Sequence, residues 1–334
     1  MKELIKQLTE AYGPSGYEQA VRQIIETQVK EYADSLTVDP MGNLHVVKKG
    51  SDEGLTIMLA AHMDEIGLMV SHIDDKGFAR LTTLGGVRPE TMVGNRAVFT
   101  NGALGVINVE NWLLHERVDS HSKLYLDFGV GKKEDVPVRV GDVAGFQRPF
   151  VDLGDTLVAK SLDDRIGCAI LIETLRQLEQ TSHEVHFVFT VQEEVGGGPR
   201  GATTAAYKVE PDVALAVDVT DSGDVPGRKH FEVKMGDGPA IKVMDRGMLA
   251  HPGLKRWLVE IAEQHNIPHQ LEILRFGTTD AKAMQLARGG SAAGALSIPC
   301  RHVHTPSEMV SYQDVQNAVK LLVNMLSGPA NLDS

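Results

Sequence analysis

Apolar residues along this chain follow two rhythms. Leu4, Ile5 and Leu8 share one face of a helix near the start, and Gly13-Pro14-Ser15-Gly16 breaks it. A second helix presents Val21, Ile24, Ile25 and Val29 on one side. The run 55–61 is then almost wholly apolar, which predicts a strand buried on both faces, as in a parallel sheet. The runs 186–191 and 213–217 repeat that signature, and 296–298 is a shorter version. Helical spacing returns between them. It covers 165–180, with Ile166, Ile170 and Leu171 inward, then the segment around Trp257, Leu258 and Ile261. A last helix carries Val315, Val319, Leu322 and Met325. Strands alternating with helices predict an α/β fold with a doubly wound, mostly parallel sheet and helices on both faces.

The texture changes from 71 to 155. Short β-like runs at 97–100, 104–109 and 136–140 are separated by Gly, Asn and Asp turns, and helical periodicity is weak. This segment predicts a small, barrel-like all-β domain inserted into a discontinuous larger one, 1–70 plus 156–334. A chain of 334 residues has room for both.

Composition narrows the function. Hydrophobic residues at 42% and charged residues at 23% describe an ordered globular protein. A formal net charge of -12 opposes binding to phosphate backbones, and 5% aromatic residues leave little to stack on bases, so no nucleic-acid partner is expected. Cys168 and Cys300 are too few for a disulfide framework and read as free thiols in a reducing compartment. The opening residues lack a secretory pattern, and no apolar run approaches the roughly 20 residues that cross a bilayer. A cytoplasmic protein without a membrane partner is expected.

Five polar clusters interrupt the apolar pattern, and nearly all follow a buried strand, where open α/β sheets bind ligands. They are His62-Met63-Asp64, Asp163-Asp164-Arg165, Glu193-Glu194, Asp218 and His304. A histidine two residues from a carboxylate on one continuing strand suits a metal ligand with its orienting partner. Adjacent carboxylates in Glu193-Glu194 repel unless a cation is near, and on an extended chain they point to opposite sides and can take different roles. Singly, each cluster has an ordinary structural explanation. Asp163 or Asp164 equally suits a helix N-cap, Asp218 a cap or loop, and His302 or His304 a surface turn. Together, two histidines and at least three carboxylates make a mixed N/O donor set suited to Zn²⁺, Co²⁺ or Mn²⁺. The donors exceed the needs of one tetrahedral ion, which points to two ions sharing a carboxylate.

Several segments resemble one family. These are Ala61-His62-Met63-Asp64-Glu65-Ile66-Gly67, Ser161-Leu162-Asp163-Asp164-Arg165, Gln192-Glu193-Glu194-Val195-Gly196 and His304-Thr305-Pro306-Ser307-Glu308. Together with Leu84-Gly85-Gly86-Val87 and Gly277-Thr278-Thr279-Asp280-Ala281, they resemble the tetrahedral (TET) metallo-aminopeptidases, the glutamyl/leucyl group of co-catalytic zinc exopeptidases. The likeness spans nearly the whole chain, in order.

The resemblance implies two divalent ions, one on His62 and Asp218 and the other on Glu194 and His304, bridged by Asp163. It implies Glu193 as general base and Asp64 as the group that orients His62. It further implies a cis peptide at Asp163-Asp164. The 71–155 domain would make dimer contacts, and dimers would assemble into a homo-oligomeric dodecamer that trims short peptides from their N-termini. The chain departs from the family pattern at three points. The stretch from Gly196 to the Arg200-Gly201-Ala202 motif is two residues longer, His302 stands where an aromatic residue is frequent, and Ser161 replaces alanine. The His-Thr-Pro-x-Glu sequence favours His304 over His302. A two-metal N-acyl amino acid deacylase or carboxypeptidase would share this donor set. An endoglucanase would need two carboxylates across a sugar cleft and would leave the histidines unexplained.

Overall fold

The computed structural model describes residues 1–51, 54–110, 120–228 and 231–332. The chain opens with α1 (Lys2–Glu10) and α2 (Gln19–Val29), then β1 (Ser35–Val38), β2 (Leu44–Lys48) and β3 (Thr56–His62). Six strands follow: β4 (Gly67–Ile73), β5 (Ala79–Leu84), β6 (Arg96–Phe99), β7 (Leu104–Val109), β8 (Leu124–Asp127) and β9 (Val143–Phe146). They close a barrel in the order β4-β5-β8-β7-β6-β9 around Leu68, Ile107, Leu124 and Leu126. The chain then returns through β10 (Val151–Asp152), β11 (Thr156–Ala159), α3 (Leu162–Gln177), β12 (Glu184–Thr190), α4 (Arg200–Val209) and β13 (Val213–Asp221). It finishes with β14 (Ala240–Met244), α5 (Pro252–Gln264), β15 (Gln270–Ile273), α6 (Ala281–Gln285), β16 (Ala292–Arg301), β17 (Glu308–Ser311) and α7 (Tyr312–Ser327).

The large sheet is mixed. Its centre, β12-β3-β13-β16, is parallel, while β1-β2 and β17-β11-β10 flank it antiparallel. The expectation of a mostly parallel sheet therefore holds only for the centre. The near-continuous apolar runs mark strands covered on both faces, and the flanks lack that signature. In β3, Ile57, Leu59 and Ala61 join the core built with α1, α2, α3, α5 and α7. Met58 and Ala60 face the other way, against α4 and α6. That second layer is rich in alanine (Ala202, Ala205, Ala206, Ala214, Ala216), which lets two short helices lie close to the sheet.

Two local expectations change. The barrel's first strand starts at Gly67, before 71, and β10, which lies inside 71–155, already belongs to the large sheet. The alternating run 136–140 is not a strand. Pro137 has no N–H to pair, and Asp142 turns the chain by accepting from the Arg139 amide at 2.8 Å. Val138 is buried in the barrel core and Val140 is exposed, so the alternation reports burial without pairing.

Candidate metal centre

β3 and β13 pair only as far as Ala216, after which the two strands part. This opens a crevice at the carboxyl ends of the parallel strands, where β3 delivers His62, the chain after β12 delivers Glu193 and Glu194, and β13 delivers Asp218. The turn between β16 and β17 delivers His304, and the start of α3 delivers Asp163. All of them line a cavity of about 650 Å³.

Asp163 stands at the centre. Its Oδ1 lies 3.0 Å from His62 Nε2 and its Oδ2 lies 3.3 Å from His304 Nε2. Asp218 Oδ1 is 3.9 Å from the same His62 nitrogen, and Glu194 Oε2 is 3.3 Å from His304 Nε2. Two groups thus form, His62-Asp163-Asp218 and Asp163-Glu194-His304, with Asp163 common to both. Asp164, the other candidate cap, turns away. Its Oδ2 accepts from the His62 amide and its Oδ1 from the Gly167 amide, both at 3.1 Å, so it caps the regular part of α3 that follows the kink at Asp163-Asp164 and leaves Asp163 free. The peptide between the two aspartates is cis. His302 is exposed and belongs to neither group.

The histidine hydrogens are already committed. His62 Nδ1 donates to the Asp64 carbonyl at 3.1 Å, and His304 Nδ1 donates to the Gly86 carbonyl at 3.1 Å. Each Nε2 lone pair is therefore left opposite carboxylate oxygens, acceptor against acceptor, which requires a proton or a cation between them. Glu194 Oε1, buried and without a hydrogen-bond partner among the described residues, adds an orphaned acceptor atom at the same place. Gly86 makes room for this arrangement, since a Cβ there would lie 2.5 Å from His304 Nδ1. These imidazole and carboxylate atoms fit a pair of divalent cations.

Electrostatics agree. Burial, then Asp163, pushes the Asp218 carboxyl up to about 8. Burial also raises Glu193 and Glu194. Asp163 moves the other way, because its two histidines outweigh burial and hold it below the usual carboxylate range. Crowded buried carboxylates resist sharing negative charge, and a divalent cation inverts that balance.

Asp64 meets the His62 ring through both its backbone and its side chain. β3 ends at His62, and the chain then curls, so that the Asp64 carbonyl is the closer partner of His62 Nδ1 and the carboxylate stands at 3.4 Å. The carboxylate mainly accepts from the Glu193 and Glu194 amides at 3.0 and 3.2 Å and from Ser15 Oγ at 2.6 Å. It ties the histidine to the segment carrying both glutamates. After β12 the chain bends, with Gln192 at φ 54°, and Glu193 and Glu194 both line the cavity.

Sequence reasoning gave no role to several contributors. Glu308 is buried, and its two oxygens accept from the Asp163 amide at 2.9 Å and the His304 amide at 2.8 Å, fixing both backbones at once. Its place in the last motif was the only signal. Glu308→Ala strands two buried donors and is expected to cost about 2–5 kcal/mol in urea unfolding, with Glu308→Gln losing less because it keeps one acceptor. Asp280 is buried near Glu193 and accepts from Thr190 Oγ1 at 2.5 Å. Glu18, pushed up to about 7 by burial and then by Asp64, accepts from the Gly16 and Gln192 amides and steadies the approach to Glu193.

The sequence profile of the M42 glutamyl aminopeptidase family matches residues 42–321. A putative aminopeptidase of Acetivibrio thermocellus is 47% identical over 328 residues, covering 98% of both chains. The aminopeptidase structure from Desulfurococcus kamchatkensis superposes with a TM-score of 0.94 at 41% identity, covering 98% of this chain and 94% of that one. The Pyrococcus horikoshii TET1 peptidase, described as assembling into a tetrahedron or a large octahedral shell, gives a TM-score of 0.85 at 34% identity, covering 97% and 98%. Sequence and fold together make this chain a member of the M42 glutamyl aminopeptidase family, and so a peptide hydrolase of the aminopeptidase class.

Proposed function

We propose that the chain removes N-terminal residues from short peptides at a two-cation centre. His62 and Asp218 hold one ion, Glu194 and His304 hold the other, and Asp163 binds both. The observation that carries this reading is the pair of histidine Nε2 lone pairs facing opposite oxygens of one carboxylate. When bound, a divalent pair of Zn²⁺, Co²⁺ or Mn²⁺ supplies Lewis-acid polarisation of the scissile carbonyl and eases ionisation of water. Glu193 takes the proton of the attacking water and returns it to the leaving amine. Burial raises its carboxyl, the direction that makes a carboxylate a stronger base toward water. Asp64 holds the His62 ring and the Glu193 backbone in one register.

The inserted β domain, expected at 71–155 and with barrel strands between Gly67 and Phe146, is proposed to carry subunit contacts, with dimers assembling into a dodecamer. Its likeness to the shell-forming Pyrococcus horikoshii relative supports this. A cytoplasmic site of action is in keeping with two free, buried cysteines. Among the described residues, no helix is long and apolar enough to cross a membrane.

Chelator-stripped protein is expected to cleave aminoacyl-p-nitroanilides only after Zn²⁺, Co²⁺ or Mn²⁺ is restored, and to leave their N-acetylated forms intact. Cleavage of the blocked forms would move the reading to a deacylase. Activity indifferent to metal would remove the two-cation mechanism.

A further inference from the structure

The break at Gly13-Pro14-Ser15-Gly16 lies against the chain that follows both β3 and β12. Its Ser15 hydroxyl donates to Asp64 Oδ2 at 2.6 Å, the shortest bond that this fully buried carboxylate accepts. Glu18 Oε1 accepts from the Gly16 amide at 2.7 Å and from the Gln192 amide at 3.2 Å. Asp64 accepts the next two amides, Glu193 on Oδ1 at 3.0 Å and Glu194 on Oδ2 at 3.2 Å. Successive N–H groups from Gln192 to Glu194 therefore end on two carboxylates. The short segment from Ser15 to Glu18 supplies one of these carboxylates and grips the other.

The segment is itself fixed. The Gly13 amide donates to Glu65 Oε1 and the Glu65 amide to the Gly13 carbonyl, both at 3.1 Å. Arg165 Nη2 donates to the same carbonyl at 3.1 Å, and a Cβ at position 13 would lie 2.8 Å from that nitrogen, so glycine is required here. Buried Lys160 holds the other oxygen of Glu65 at 2.7 Å. The Glu193 carboxylate has no comparable support. Among the described residues no hydrogen bond reaches it, so its place follows from its backbone, whose amide is held by Asp64. With Oδ2 fixed by the Ser15 hydroxyl, Oδ1 stays on the Glu193 amide. Without the hydroxyl, Oδ2 keeps only the Glu194 amide, and the carboxylate is free to turn about a soft terminal torsion.

We infer that Ser15 is a positioning residue for hydrolysis: through Asp64 it sets where Glu193 stands when it takes the proton of water. The inference rests on Glu193 acting as the base, as proposed above. Ser15 is not among the residues that line the cavity, so it acts without touching substrate. A displacement that the fold hardly registers is still costly to the reaction, since a reacting group misplaced by about 1 Å loses about 10²-fold in rate.

The test is a double-mutant cycle on metal-saturated enzyme, with a free-amine aminoacyl-p-nitroanilide that wild type cleaves. It reads kcat, KM and bound metal for wild type, Ser15→Ala, Glu193→Gln and the double variant. Ser15→Ala is expected to lower kcat by about 10- to 100-fold, with KM within about twofold of wild type and the metal complement retained. In the Glu193→Gln background no base is left to place, and the same change should cost less than about threefold. A merely structural role would give the same fold-change in both backgrounds. Tyr12→Phe checks for general loosening, because it removes the 2.7 Å bond from the Tyr12 hydroxyl to the Val143 carbonyl, which ties the same segment to the barrel, and leaves Ser15 and Asp64 in place. It should keep kcat within about twofold of wild type. Equal losses in the two backgrounds, an unchanged kcat or lost metal in Ser15→Ala, or a matching loss in Tyr12→Phe would overturn this inference alone. Unchanged turnover in Glu193→Gln would overturn the proposed base and this inference with it.

Discussion

Glutamine at position 193 is expected to lower kcat by about 10²–10⁴-fold, the range typical for loss of a positioned general base. The change is nearly isosteric and keeps the backbone amide that donates to Asp64 at 3.0 Å. Glu193 belongs to neither of the two histidine-carboxylate groups, so metal content should stay at the wild-type level. Stopped assays for kcat and plasma mass spectrometry for bound metal separate the two effects. Unchanged turnover would remove Glu193 from the base role. Loss of metal along with turnover would make it a ligand.

Asp163→Asn should do the reverse. Among the described residues, Asp163 is the one group with an oxygen toward both His62 and His304, so removing its charge should weaken both cation positions together. Bound metal is expected to fall from two ions per subunit to less than one, and activity to background. Stability offers an independent readout. A ligand at 100 times its Kd adds about 2.7 kcal/mol to folding, so wild type should show a metal-dependent rise in Tm that Asp163→Asn largely loses. A full metal complement in the asparagine variant would defeat the shared-carboxylate assignment.

The residues that line the candidate centre were legible because their signals are local. His62, Glu193 and Asp218 each interrupt or end a run of apolar residues, and a polar residue at the end of a buried strand stands out. What the sequence hid depends on distant partners. The antiparallel flanks β1-β2 and β17-β11-β10 carry no sign in their own residues of the edge they join. Ser15 sits in a segment read as a simple break, yet its hydroxyl bonds Asp64 across 49 positions of sequence. Glu308 looks like one more loop acid until Asp163, 145 residues earlier, arrives beside it. The 136–140 run misled because alternation records which side chains are buried, whereas a strand also needs free backbone amides, and Pro137 and the Arg139–Asp142 turn remove them.

Gly86 belongs to the connection between two barrel strands, yet its carbonyl decides which nitrogen of His304 carries the hydrogen. The barrel therefore acts as a mechanical gauge on the chemistry. A shift of the barrel against the sheet by a fraction of an ångström would loosen that one hydrogen bond and free the imidazole to rotate or change tautomer. Scaffold and chemistry are in this sense a single lever, with its fulcrum at a residue that has no side chain.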